Sequence, residues 1–72
     1  MSNEKNFTVK EAFDLAIQGY QNNNLQDAQN YYQKVLKIEP NHFPALNNLG
    51  NVFKKLKDYQ KAKDCYEKAI EI

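Results

Sequence analysis

Arginine is absent from this chain, and all ten of its basic side chains are lysine. Without a guanidinium fork, bidentate recognition of phosphate or guanine has no residue to perform it. A net charge of +1 supplies no field to draw nucleic acid or an anionic membrane, so neither is expected as a partner. Cys65 is the only cysteine, which rules out an internal disulfide and suits a reducing, cytoplasmic setting. It reads as a small apolar filler, with a reactive or intermolecular thiol as the alternative. No apolar run approaches the ~20 residues that span a bilayer. The polar start Met1-Ser2-Asn3-Glu4-Lys5-Asn6 shows no secretory signal.

Groups for chemistry are equally scarce. Ser2 and Thr8 are the only aliphatic hydroxyls, and His42 has no cysteine or second histidine to share a metal. No enzyme activity, metal or cofactor is expected. Seventy-two residues make one small domain, and a chain of this size buries only about 60% of its unfolded surface. That leaves no room for a substrate pocket with a core of its own.

What is present is a repeat. Shifted by 34 residues, the chain pairs Leu15 with Leu49, Gln26 with Gln60, Ala28 with Ala62 and Tyr32 with Tyr66. Lys34 meets Lys68 and Ile38 meets Ile72, with near matches of Ala16 to Gly50, Leu25 to Tyr59 and Leu36 to Ile70. A fixed period of this length marks stacked units that bury together what none could bury alone.

Helical periodicity runs throughout, and no period-2 alternation appears. Residues 1–7 read as a disordered tail. Thr8 with Glu11 forms a capping box for a first helix over about 9–22, carrying Ala12, Leu15, Ala16 and Gly19. Asn22-Asn23-Asn24 is a turn, because asparagine competes for its own backbone. A second amphipathic helix carries Leu25, Ala28, Tyr31, Tyr32, Val35, Leu36 and Ile38 and stops at Pro40. Pro44 suits the first turn of a third helix with Leu46, Leu49, Gly50, Phe53 and Leu56. Asp58 caps a fourth, with Tyr59, Ala62, Cys65, Tyr66, Ala69 and Ile70. The expected fold is all-α: four antiparallel helices in two helix–turn–helix pairs, with small residues (Ala16, Gly50, Ala28, Ala62) at the closest approaches.

These residues resemble tetratricopeptide repeats, whose helix–turn–helix period is 34 residues. From Phe43 on, Leu46, Leu49-Gly50, Phe53, Tyr59, Ala62, Tyr66 and Ala69 fall where the family pattern wants them. The stretch from Val9 departs in its first helix, with Ala12 for a bulky residue and Gly19 for an aromatic, and matches again at Leu25, Ala28, Tyr32 and Pro40. The resemblance implies a domain over 8–72 in two units, about 9–42 and 43–72. The second stops short of its closing proline, as in the N-terminal part of a longer array. Asn47-Asn48-Leu49-Gly50 is similar to bacterial arrays fused to glycosyl- or sulfotransferases. An acceptor-presenting segment beside an absent catalytic domain is therefore the alternative to an interaction or assembly scaffold.

The resemblance also implies a groove on the first helix of each pair, binding an extended protein or peptide segment. The groove residues would be Phe13, Ile17 and Tyr20, then Asn47, Asn48, Asn51, Lys54 and Lys55. Asn48 matches a position where related arrays hold a peptide backbone, a task suited to an amide that both donates and accepts. A clamp for a C-terminal carboxylate is not expected, since Phe13 and Ile17 replace its polar residues. Phe13, Ile17 and Tyr20 lie off the Ala12, Leu15, Ala16, Gly19 stripe. Either Gly19 lets the helix roll so that they join the core, or they form a patch that a partner covers. Tyr66, Ala69, Ile70 and Ile72 on the last helix would face water and are the expected self-association face of a homodimer.

Overall fold

The computed structural model describes residues 7–71. The expected tail over residues 1–6 and the expected association residue Ile72 lie outside the described residues.

Four helices follow one another, α1 (Val9–Gln21), α2 (Leu25–Ile38), α3 (Phe43–Lys55) and α4 (Tyr59–Glu71), and no strand occurs among the described residues. Each begins where a side chain takes up an orphan N–H. Thr8 and Glu11 form the reciprocal capping box, both bonds 3.0 Å. Asn24 accepts from the Asp27 N–H, and Asp58 accepts from the Lys61 N–H at 3.3 Å. The cap of α3 is His42, whose Nδ1 accepts from the Ala45 N–H at 3.1 Å. Periodicity does not reveal this residue, although Pro44 in the first turn marks the cap two positions before it.

The turn inside each pair is built twice in one way. Asn23 and Lys57, a full period apart, both adopt the left-handed region, at φ 59° and 65°. The Asn24 and Asp58 N–H groups then donate back to the Gly19 and Phe53 carbonyls at 2.7 and 2.9 Å. Asn23 and Lys57 donate to the Tyr20 and Lys54 carbonyls at 3.1 and 3.0 Å, completing a Schellman closure in each.

Helices pack in chain order, α1 on α2, α2 on α3 and α3 on α4, so α2 and α3 are the inner pair. The core runs along this stack through Ala12, Ala16, Ala28, Tyr32, Val35, Ala45, Leu49, Val52, Phe53 and Ala62. Both glycines mark real contacts. A Cβ on Gly19 would meet the Ala28 nitrogen at 3.0 Å and the Asn24 oxygen at 3.1 Å, backbone against backbone. A Cβ on Gly50 would meet the Tyr66 ring at 2.6 Å. The helix-propensity cost of glycine, roughly 1 kcal/mol, is offset in each case by that approach.

Two expectations are corrected. Phe7, placed in the tail, instead packs edge-on to Tyr31 with ring centroids 5.5 Å apart, and the Lys34 ammonium sits 6.0 Å from its ring. Its apolar ring gains more on α2 than in water. On α4, Ala69 is only 7% exposed and Tyr66 is half-buried over Gly50, so these two turn toward α3 rather than water. Ile70 does face water, at 83% exposure.

Candidate functional site

The inner face of α1 and α3 forms a groove of about 400 Å³, lined by Ile17, Tyr20, Gln21, Tyr32, Asn48 and Asn51. Its apolar wall comes from α1, where Ile17 and Tyr20 sit half-buried against the core. For these two residues the expected alternatives meet: each packs on the core and also lines the groove. Gly19 permits this by letting α1 lie against the α2 backbone.

Asn48 and Asn51 stand one helical turn apart on α3, so their amides share a face. Asn51 is held by a tyrosine from the following helix: the Tyr66 hydroxyl donates to Asn51 Oδ1. Burial pushes the Tyr32 hydroxyl above the usual tyrosine value, and the neighbouring Asn48 amide works against that rise.

At the end of the groove the Lys55 ammonium lies 5.5 Å from the Tyr20 ring centroid, a cation–π contact that bridges the two units. No carboxylate is among the lining residues. Lys54 and Lys55 take part in none of the ion pairs among the described residues, which join Lys10 to Asp14, Lys61 to Asp58 and Lys63 to Glu67.

The structure thus brings together Ile17, Tyr20, Asn48, Asn51 and Lys55. Phe13 goes elsewhere: its ring packs on Tyr32 at 5.8 Å and on His42 at 5.2 Å, tying α1 to the α2–α3 connection. Asn47 is half-buried and Lys54 exposed, both outside the lining. Tyr32 belongs to the groove although it reads as a core filler in the sequence. The available signal was its hydroxyl, because a buried tyrosine, unlike phenylalanine, needs a polar partner. A second hollow of about 490 Å³ is lined from α2 alone by polar side chains and Tyr31, with no facing wall.

Burial raises the Cys65 thiol, with Asp64 adding to the rise and Lys68 opposing it, so the thiolate is disfavoured. Among the described residues no cluster of three or more His, Cys, Asp or Glu could hold a metal, and no helix is long and apolar enough to cross a membrane.

A helical stack with a polar-edged groove is the architecture of a repeat-built interaction protein. The family model of the tetratricopeptide repeat matches residues 19–42 and again residues 43–72. The chain belongs to the tetratricopeptide repeat family and is, in that general sense, a protein–protein interaction module. The first match begins at Gly19, leaving out most of α1, where Ala12 departs from the pattern.

Two relatives are similar over part of their length. The uncharacterized protein ycf37 of Pyropia yezoensis is 42% identical over 43 residues, 60% of this chain and 24% of that protein. The uncharacterized protein ycf37 of Porphyra purpurea is 33% identical over 45 residues, 62% of this chain and 26% of that protein. The chain spans about a quarter of the length of these curated relatives.

Proposed function

We propose that the groove between α1 and α3 holds an extended peptide segment with acidic character. The observation that carries this reading is the lining itself, two amides one turn apart with an apolar wall opposite, and beside it Lys55 over the Tyr20 ring. Amides can satisfy a main chain without selecting its side chains. Ile17 and Tyr20 offer burial to one apolar residue, and Lys54 and Lys55 attract carboxylates at long range and are screened by salt. Synthetic peptide arrays probed with the purified chain test the site. Binding should fall with Asn48→Ala plus Asn51→Ala, and acidic peptides should lose affinity as salt rises. Peptides that bind the double variant as well as the original chain would remove this groove from consideration.

A second reading, self-association into a homodimer, is favoured by Ile70, a large apolar side chain left 83% exposed on α4. Covering it would contribute roughly 1.5–3 kcal/mol. Light scattering across a concentration series should show a dimer that Ile70→Lys dissociates. Monomer mass at every concentration would end this reading.

A further inference from the structure

One of the two groove asparagines is not a free amide. Asn51 receives a hydrogen bond on Oδ1 from Tyr66, a residue of α4 that lies behind the groove rather than in it. Among the described residues the Asn51 side chain makes no other hydrogen bond, so its NH2 group is the half left for a ligand. An unrestrained asparagine can turn its amide over and present either half.

We propose that Tyr66 is a positioning residue for peptide binding, holding Asn51 so that it donates to a main-chain carbonyl. This rests on the reading of the groove as a peptide site. Along one edge of an extended segment N–H and C=O alternate, so an amide fixed as a donor fits a carbonyl there better than an amide free to rotate. The Tyr66 ring, seated on Gly50, is what holds the hydroxyl in place. Gly50 therefore serves binding through Tyr66 as well as packing.

The test uses the whole chain and linear 12-residue peptides selected from a random library, restricted to those without acidic residues so that repulsion does not enter. Tyr66→Phe keeps the ring over Gly50 and removes only the hydroxyl. It should weaken binding roughly three- to tenfold, the worth of one hydrogen bond. Asn51→Asp keeps the acceptor for Tyr66, and hence the structural bond, but removes the donor. It should bind as weakly as Asn51→Ala, with the helical fold retained by circular dichroism. Unchanged affinity in Tyr66→Phe, or wild-type binding by Asn51→Asp, overturns the positioning role. If Asn51→Ala loses binding while Tyr66→Phe does not, the groove stands and the positioning role alone fails. If no library peptide binds the unaltered chain, both fall.

Discussion

α2 and α4 carry residues in the same register, yet they are buried differently. α2 packs between α1 and α3, whereas α4 packs on α3. Tyr32 is 2% exposed and its counterpart Tyr66 is half-buried. Leu36 packs on the core and its counterpart Ile70 is nearly bare. Likewise Leu25 is half-buried, while Tyr59 is exposed. In a stack, burial belongs to a residue's place among neighbouring units as much as to its place in its own unit.

The tyrosines show a further difference. The residue one period before Asn51 is Ile17, which cannot accept a hydrogen bond. Tyr32 therefore finds no partner like that of Tyr66 within its own unit. The counterpart of Asn48 is Asp14, which is held by Lys10 at 2.9 Å. These two register differences place both amides of the groove on the second unit.

The largest expected effect would come from truncating the two tyrosines separately. Tyr32→Ala should cost about 3–5 kcal/mol, as for other fully buried aromatics. Tyr66→Ala should cost roughly half as much, because its ring is partly solvated and the cavity opens to water. Equal losses in denaturant titrations would mean that α4 is as enclosed as α2.

Next come the close approaches. Ala28→Leu and Ala62→Leu should each overpack a helix pair by roughly 1–3 kcal/mol. Ala28 should suffer more, since it has the α1 backbone at Gly19 directly against it. A thermal melt unmoved by Ala62→Leu would show that the second pairing is misassigned.

Glycine replacement sharpens the same contrast at smaller scale. Gly19→Ala forces a Cβ against backbone atoms that cannot swing aside, and should be destabilising by about 1 kcal/mol despite alanine's helix propensity. Gly50→Ala pushes on a side-chain ring, and the register-equivalent residue of the first unit is already Ala16. It should fall within about 1 kcal/mol of neutral, with the propensity gain set against displacement of Tyr66. A reversed order of the two variants would contradict the contact geometry.

The smallest effect concerns the two turns. Asparagine tolerates the left-handed region better than most residues, and lysine has no such tolerance to offset its cost there. Lys57→Gly should raise stability by about 0.5–1 kcal/mol, while Asn23→Gly should leave it nearly unchanged. Chemical denaturation midpoints distinguish the two, and a gain at Asn23 equal to that at Lys57 would refute the strain argument.

Much of this was legible beforehand. The 34-residue shift, the Thr8–Glu11 box, the Asn22–Asn24 turn, the stop at Pro40 and the start at Pro44 are local signals. Ile17, Tyr20, Asn48 and Asn51 could be placed on one surface because the family resemblance puts a groove on the first helix of each pair. Three things were not legible. Phe7 docks on Tyr31, a contact made across the start of α1 onto α2. Phe13 leaves the groove for Tyr32 and His42, and Ala69 turns inward. Each depends on how far one helix is rolled against another, which the spacing of its own residues does not specify.

Sequence alone therefore determined the helices, their ends, their pairing and the family, because caps, turns and a fixed period are short-range or self-referring. Only the tertiary structure decided which of two equivalent tyrosines is enclosed, which one holds an asparagine, and which apolar side chains stay in water. Those outcomes follow from the neighbours a helix has on each side. In a stack of identical registers that is a property of position, carried by no single repeat.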